Sequence, residues 1–155
     1  MTTTPLPTLL YIDDDAALAR LVTRGLSRLG FIIEHASDGE SGIARIKRGG
    51  IDVVALDQEM PGLDGLATLK RIWAIQPSPP VVFVTASQDS KIAIDALKAG
   101  AADFLVKDTQ GEFIPLLDIA AKAALKHALI QQARDDAEAE VYASRDRYAA
   151  LAAER

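Results

Sequence analysis

Five short apolar runs recur in the first 107 residues of the chain, and helix-like segments separate them. The runs are Leu9–Ile12, Phe31–Ile33, Val53–Leu56, Val81–Val84 and Phe104–Val106. Runs that are apolar throughout are typical of strands buried on both faces, as in a parallel sheet covered by helices. Apolar residues between the runs recur at helical spacing, and Gly30 and Gly100 stand where helices commonly end. This alternation predicts an α/β domain with a doubly wound sheet of five parallel strands.

Composition excludes several classes of function. The net charge of -5 argues against a broad nucleic-acid surface, which depends on Lys and Arg. The chain has no cysteine, which excludes disulfide scaffolds, thiolate zinc sites and cysteine nucleophiles. No apolar run approaches the roughly 20 residues that cross a bilayer, and no secretion signal is visible at the N-terminus. We therefore expect a cytoplasmic protein that contacts neither membrane nor nucleic acid.

Polar residues follow four of the predicted strands directly. Asp13, Asp14 and Asp15 come after the first strand, Asp57 after the third, Thr85 after the fourth and Lys107 after the fifth. Ligands of open parallel sheets bind outside the carboxyl ends of the strands. We therefore expect carboxylates, a hydroxyl and an amine to share one small pocket.

This set of residue types suits phosphoryl transfer. Carboxylates that lie close together repel each other, and a hard divalent cation such as Mg²⁺ (or Mn²⁺) relieves that repulsion. Lys107 adds a second positive charge facing Asp57. A carboxylate held between a metal ion and an ammonium group can accept a phosphoryl group, because that reaction depends on positioning and charge neutralisation.

Four segments carry a more specific resemblance. They read LYIDDD at residues 10–15, ALDQEMPGLDG at 55–65, VTA at 84–86 and GAADFLVK at 100–107. In this order and spacing, over roughly residues 8–125, the chain resembles the receiver domains of two-component response regulators. The resemblance implies a flavodoxin-like sheet of order 2-1-3-4-5, and a phosphohistidine donor on a histidine kinase or histidine phosphotransfer protein.

The resemblance also implies roles for individual residues around a metal ion. Asp57 is expected to be the phospho-acceptor and a metal ligand. Asp14 is expected to bind the metal directly, Asp13 mostly through water, and Glu59 through its backbone carbonyl. Lys107 is expected to pair with the phosphoryl group.

Two further residues are implied to respond to phosphorylation. Thr85 resembles the hydroxyl of the family that turns toward the phosphoryl group, and Phe104 resembles the aromatic residue that changes rotamer with it. The surface of the fourth helix, fifth strand and fifth helix is then expected to change shape. We expect a homodimer through this surface and the C-terminal helix.

The sequence departs from the family in two places. Asp108 follows Lys107 where relatives usually have a cis proline, and a cis bond before a non-proline residue costs about 2.5–4 kcal/mol. We therefore predict a trans bond and a different loop. Glu59 places an acidic side chain where many relatives have a neutral one, and we expect it to change the lifetime of the phosphoryl group by contacting the attacking water or a metal-bound water.

The chain after residue 125 is predicted to be helical. Residues 1–7 form a tail, 8–125 the receiver domain, and 126–155 a helical extension with a weak heptad pattern, consistent with a coiled-coil linker. Its apolar positions are sparse: Ile130, Ala137, Val141, Tyr148 and Leu151. Residues 144–151 resemble the helix that precedes a sensory domain in longer signalling proteins, so we expect that the chain is the first part of one, with a free-standing regulator as the alternative.

Other interpretations of the same residues remain open. Asp15 and Asp64 are expected to cap helices, and neither His35 nor His127 is expected to serve a site. A docking or dimerisation module that keeps the receiver fold without phosphorylation is the main alternative function. A phosphatase with an aspartate nucleophile is less favoured, because its acid–base residue would be an aspartate where Glu59 stands. We expect no enzymatic activity beyond phosphorylation and dephosphorylation of the chain itself.

Overall fold

The computed structural model describes residues 5–86 and 88–153, and the side chains at 148 and 150–153 are not described. Strands and helices alternate along the chain, five of each in the described part. The strands are β1 (Thr8–Ile12), β2 (Ile32–Ala36), β3 (Val53–Leu56), β4 (Val81–Thr85) and β5 (Asp103–Val106). The helices are α1 (Ala16–Arg28), α2 (Gly39–Lys47), α3 (Gly65–Trp73), α4 (Ser90–Lys98) and α5 (Ile114–Ala153).

All the strand pairs of the sheet are parallel, and the strand order is β2-β1-β3-β4-β5. The predicted doubly wound sheet and its order are thus confirmed. The order reverses between β1 and β3, which pair with each other. Side chains that follow these two strands therefore meet at the point where such sheets commonly bind ligands.

Apolar side chains form one buried cluster on each face of the sheet. Leu9, Val53 and Val84 pack with α1 and the start of α5 on one face, whereas Leu10 and Phe83 pack with α2, α3 and α4 on the other. Strands β3 and β4 are buried along their whole length. The expectation of burial on both faces is wrong for β2 and β5, in which two half-buried residues lie between exposed ones. These are the two edge strands, and each has a neighbour on one side only.

Aspartate side chains cap the N-termini of α1, α2, α3 and α4, as predicted for α1 and α3. Asp15 Oδ1 accepts a hydrogen bond from Leu18 N at 3.0 Å, and Asp64 Oδ1 accepts one from Ala67 N at 2.9 Å. Such caps satisfy backbone N–H groups that the helix itself leaves without partners. Gly30 follows α1 with a φ of 101°, a conformation that other residues rarely adopt.

The chain divides into two compact units, of which the first ends at Leu125 and the second begins at Lys126. In the first, Phe113, Leu117 and Ala120 are buried in the core. Leu116, in the same turn of the helix as Leu117, is 55% exposed.

The second unit is helical as far as Ala153. Gln131 and Gln132 donate hydrogen bonds to Asp135 and Asp136, each pair lying one helical turn apart. Val141 is exposed, and the heptad positions Tyr148 and Leu151 have side chains outside the described set. None of the helices in the described ranges is both long and apolar enough to cross a membrane.

Candidate phosphoryl-acceptor site

The polar residues predicted to meet at the strand ends line one pocket of about 420 Å³. Parallel strands all end at the same edge of the sheet, so residues distant in sequence converge there. The lining residues are Asp14, Asp15, Leu18, Asp57, Glu59, Thr85, Ala86, Lys107, Asp108 and Thr109. Asp13 lies beneath this surface and is fully buried.

The ammonium group of Lys107 joins the two buried carboxylates. Its Nζ atom lies 2.7 Å from Asp13 Oδ2 and 3.2 Å from Asp57 Oδ2. The second oxygen of Asp57, Oδ1, is buried and has no hydrogen-bond partner among the residues described here. A buried carboxylate oxygen without a donor is unfavourable, so this atom is poised to bind an added cation or to react.

Asp13 is held by donors on both oxygens. Oδ1 accepts a hydrogen bond from Asp15 N at 3.0 Å, and Oδ2 accepts from the Tyr11 hydroxyl and from Lys107 Nζ, each at 2.7 Å. Burial and the neighbouring Asp13 carboxylate raise the pKa of Tyr11 well above its usual value. The hydroxyl therefore keeps its proton and remains a donor.

The charges of the site shift one another's protonation. Burial raises the pKa of Asp57 to about 6, the Asp13 charge adds to this rise, and Lys107 opposes it. Burial also acts to raise the pKa of Asp13, but hydrogen bonds from Lys107, Asp15 and Tyr11 hold it below its usual range. Burial acts to lower the pKa of Lys107, yet the two carboxylates keep it above its usual value. The site therefore holds more negative charge than Lys107 alone neutralises.

Three carboxylates are close enough to share one cation. One oxygen each from Asp13, Asp14 and Asp57 lies within 4.8 Å of the others. Oxygen donors, excess negative charge and the unpaired Asp57 Oδ1 fit a hard divalent ion such as Mg²⁺, which also keeps several waters. Because three donors, one of them a backbone N–H group, already bind the Asp13 carboxylate, Asp14 and Asp57 have the freer oxygens.

The start of α3 packs against the backbone of Asp57. A Cβ atom on Gly65 would collide with the Asp57 carbonyl oxygen and approach Gln58 Cα to 2.7 Å. Gly65 N donates to the Gln58 carbonyl at 2.9 Å, and Leu66 N donates to the Gln58 side chain at 2.9 Å. Glycine at position 65 therefore allows the helix to fix the segment that carries Asp57.

Thr85 and Phe104 lie on neighbouring strands. Thr85 is fully buried at the end of β4, and its carbonyl accepts a hydrogen bond from Lys107 N at 2.9 Å. Phe104 is half-buried on β5 and stacks on Phe83 with ring centroids 6.0 Å apart. Phe83 and Thr85 share one face of β4, so Phe104 packs on the same side of the sheet as the hydroxyl-bearing residue.

The loop after β5 is organised by Asp108. The one cis peptide bond within residues 5–86 and 88–153 is Gln76–Pro77, which confirms the predicted trans bond after Lys107. Asp108 Oδ2 accepts hydrogen bonds from Gln110 N and Glu112 N, and Oδ1 accepts one from Phe113 N, at 3.0–3.1 Å. Burial opposes them, but these donors hold the pKa of Asp108 below its usual range. A carboxylate therefore shapes the turn that follows Lys107.

The sequence patterns did not indicate the part that two residues near the site play. Tyr11 was assigned to the strand alone, although it stands two residues before Asp13 and strand alternation places both on one side. His35 was expected to serve no site, yet its Nε2 lies 2.7 Å from the Asp13 carbonyl oxygen. Only the pairing of β1 with β2 reveals this contact, because it sets Tyr11 opposite His35.

The sequence model of the response regulator receiver domain matches residues 9–116. The chain belongs to this family. It is therefore a receiver domain of the two-component response regulators, which confirms the resemblance seen in its motifs. Receiver domains accept phosphoryl groups from histidine kinases or phosphotransfer proteins, and they bind Mg²⁺ at an acidic pocket.

Relatives of this receiver domain occur in proteins with different outputs. It is 35% identical over 99 residues to the transcriptional regulatory protein ZraR of Salmonella typhimurium, which covers 64% of this chain and 22% of ZraR. It is 32% identical over 121 residues to the transcriptional regulatory protein AfsQ1 of Streptomyces coelicolor. This match covers 78% of this chain and 52% of AfsQ1. A protein-glutamate methylesterase/protein-glutamine glutaminase of Geobacter sulfurreducens is 37% identical over 112 residues. This match covers 71% of this chain and 30% of the methylesterase.

Solved receiver domains share the fold. A response regulator receiver domain protein from Clostridium thermocellum superposes with a TM-score of 0.74 at 30% identity, covering 81% of this chain and 99% of that one. The receiver domain of the Francisella response regulator 1452 gives a TM-score of 0.71 at 29% identity, covering 79% and 98%. The chain spans between about a fifth and a half of the length of the curated relatives named above.

Proposed function

We propose that this receiver domain takes a phosphoryl group from a phosphohistidine onto Asp57 in a Mg²⁺-dependent reaction, and that phosphorylation changes the surface formed by α4, β5 and α5. The observation that carries the proposal is the asymmetry of the Asp57 carboxylate. Its Oδ2 is paired with Lys107, whereas its buried Oδ1 has no donor among the described residues. One oxygen is neutralised and the other remains available for chemistry.

The proposed reaction moves the phosphoryl group without any redox change. The Asp57 carboxylate attacks phosphorus, the P–N bond to the donor histidine breaks, and its electron pair returns to the imidazole nitrogen, which then binds a proton. Lys107 faces the incoming oxyanion because its Nζ lies only 3.2 Å from Asp57 Oδ2. Transfer of the phosphoryl group to water restores the carboxylate. No other enzymatic activity is proposed for this chain.

Asp14, Asp57 and the Glu59 backbone carbonyl are proposed to hold one Mg²⁺ or Mn²⁺ ion, with Asp13 reaching it through water. Three donors already bind Asp13, which favours a water-mediated role for it. When bound, the ion supplies positive charge for the phosphoryl oxygens that Lys107 does not reach. The ion also offsets the repulsion between Asp13 and Asp57, which contributes to the raised pKa of Asp57.

Thr85 is proposed to donate a hydrogen bond to the new phosphoryl group, and Phe104 to change rotamer as the strand end moves. The side of β4 that carries Thr85 also carries Phe83, on which Phe104 stacks. Lys107 N donates a hydrogen bond to the Thr85 carbonyl, which links the ends of the two strands. This coupling supports a two-state rearrangement of the β4–β5 region.

The α4–β5–α5 surface is proposed to pair with a second copy, and residues 126–155 to extend the contact as a coiled-coil linker after a receiver domain of residues 8–125. Exposed apolar side chains on these three elements support pairing: Ile94, Leu97, Val106, Leu116 and Ile119. Val141 in the extension is also exposed. Light scattering with and without beryllofluoride tests this, and a monomer at high concentration in both conditions contradicts it.

Transfer of a labelled phosphoryl group from a small phosphodonor tests whether Asp57 is the acceptor. We expect Mg²⁺-dependent labelling of the wild type that disappears in Asp57→Asn and persists in Asp64→Asn, since asparagine caps α3 as well as aspartate does. Beryllofluoride with Mg²⁺ should shift the amide resonances of Thr85 and Phe104. Absence of labelling and of these shifts would instead support a docking module that does not depend on phosphorylation.

A further inference from the structure

The buried carboxylate of Asp13 shares one of its oxygens between two side-chain donors. Oδ2 accepts from Tyr11 and from Lys107 at the same distance of 2.7 Å. Only one of these donors has a second carboxylate within reach, since Lys107 Nζ is also 3.2 Å from Asp57 Oδ2. Tyr11 is 1% exposed, and its hydroxyl has Asp13 as its hydrogen-bond partner.

Packing in the core holds the aromatic ring of Tyr11 in place. It lies in the cluster between the sheet and the helices α1 and α5, where Leu18 and Ala55 are also buried. It packs against the ring of His35 with centroids 6.3 Å apart, and His35 Nε2 lies 2.7 Å from the Asp13 carbonyl oxygen. Both the carboxylate and the backbone of Asp13 are therefore anchored independently of Lys107.

We propose that Tyr11 is a positioning residue that keeps the Asp13 carboxylate hydrogen-bonded when Lys107 turns from Asp13 to the phosphoryl group on Asp57. The inference rests on the proposed function, because it needs Lys107 to pair with that group. A buried ionised oxygen that loses its donor is strongly disfavoured. Tyr11 removes this penalty, since Oδ2 retains a donor after Lys107 has left.

The proposal predicts an asymmetric effect of deleting the hydroxyl. In Tyr11→Phe, the unphosphorylated site still has Lys107 on Asp13 Oδ2. In the phosphorylated site, Lys107 would have to leave that oxygen without a side-chain donor, or remain on it and abandon the phosphoryl group. The variant should therefore lose affinity for a phosphoryl mimic while its affinity for the metal alone changes little.

The experiment compares wild type, Tyr11→Phe and the control Tyr142→Phe, which removes a hydroxyl from a side chain that is 63% exposed. Beryllofluoride affinity is measured at saturating Mg²⁺ by amide NMR, and Mn²⁺ affinity without beryllofluoride by electron paramagnetic resonance. We expect Tyr11→Phe to bind beryllofluoride about tenfold more weakly, as for loss of one hydrogen bond to a charged group. Its Mn²⁺ affinity should change by less than about threefold, and the control should match wild type.

Equal beryllofluoride affinity in wild type and Tyr11→Phe would overturn the proposal, and so would parallel losses of both affinities, which indicate only a disturbed site. Failure of the wild type to bind beryllofluoride would defeat the proposed function as well. A measurement on the wild type does not depend on how the variant folds. The ¹³Cζ resonance of Tyr11 should shift when beryllofluoride binds, because its hydroxyl becomes the sole side-chain donor to Asp13 Oδ2, and an unchanged resonance would contradict the proposal.

Discussion

The ammonium group of Lys107 lies 2.7 Å from the carboxylate of Asp13, a residue 94 positions earlier in the chain. This contact neutralises one of the two buried carboxylates at the strand ends. Asp57, the other, is left with a raised pKa because of its burial and the Asp13 charge. The Asp57 carboxylate, the proposed acceptor, is therefore the destabilised member of the pair.

Asp57→Asn should stabilise the metal-free protein at neutral pH. The pKa of Asp57 rises from its ordinary 3.8 to about 6 on folding, so the folded protein binds a proton more tightly than the unfolded chain between these values. The free energy of unfolding of the wild type therefore falls as pH rises through this window, and the loss is complete above it. Replacing the carboxylate should raise the free energy of unfolding by about 2 kcal/mol at pH 7.5 and by almost nothing near pH 4. Urea denaturation with a chelator at both pH values measures this, and an equal gain at both would argue against the electrostatic cause.

Magnesium should stabilise the wild type and much less the variant Asp14→Asn. An ion that binds only the folded state adds about 2.7 kcal/mol at a concentration one hundred times its dissociation constant. Asp14 lies within 4.8 Å of the other two carboxylates, so its loss should weaken Mg²⁺ binding at least about tenfold. Asp15→Asn is the matched control, because asparagine keeps the cap of α1. Thermal unfolding with and without Mg²⁺ compares the three proteins. If Mg²⁺ raises the thermal midpoint equally in all three, Asp14 is not a metal ligand.

Glu59→Asn should lengthen the lifetime of the phosphorylated state. The exposed Glu59 side chain lines the same pocket as Asp57, and a carboxylate there can accept a hydrogen bond from the attacking water. We expect the rate of phosphate loss to fall several-fold. Release of labelled phosphate from the purified phosphoprotein gives the rate, with Glu138→Asn in the C-terminal extension as the control. Equal rates in Glu59→Asn and wild type would exclude this role.

Asp108→Ala should loosen the loop that follows Lys107. The substitution removes the acceptor of three backbone N–H groups, of Gln110, Glu112 and Phe113. Both the thermal midpoint and the rate of labelling by a small phosphodonor should fall, since Lys107 is the adjacent residue. Glu112→Ala changes an exposed side chain of the same loop and should leave both unchanged. A lower midpoint with an unchanged labelling rate would show that Asp108 serves the loop and not the lysine.

Gly65→Ala should displace the segment that carries Asp57. The added methyl group would collide with the Asp57 carbonyl, and overpacking of this kind typically costs about 1–3 kcal/mol. We expect slower phosphorylation together with lower stability. Gly30→Ala provides the comparison, because it strains a positive φ of 101° with nothing within 4 Å of the new atom. It should lower stability but not the phosphorylation rate, and similar rates for both variants would show that Gly65 does not position Asp57.

The fold class and the set of strand-end residues followed from local patterns. The run Val53–Leu56 is apolar because β3 has neighbours on both sides and helices on both faces, so its burial is readable from its composition. The helix caps Asp15 and Asp64 were also predictable, since a cap depends on residues within three positions. The same reasoning overestimated the burial of β5, because an apolar run does not by itself show whether its strand lies at an edge of the sheet.

The sequence by itself determined which chemical groups stand at the ends of β1, β3, β4 and β5, because strand periodicity and helix signals are local properties of the chain. Only the tertiary structure decided how those groups share their charge. The Tyr11 hydroxyl, the His35 ring and the Lys107 ammonium group meet at Asp13 because strand register brings β1 beside β2 and the sheet brings β5 within reach. Register and strand order are set by packing over the whole core, and a hydrogen bond between residues 94 positions apart exists only once that packing is complete.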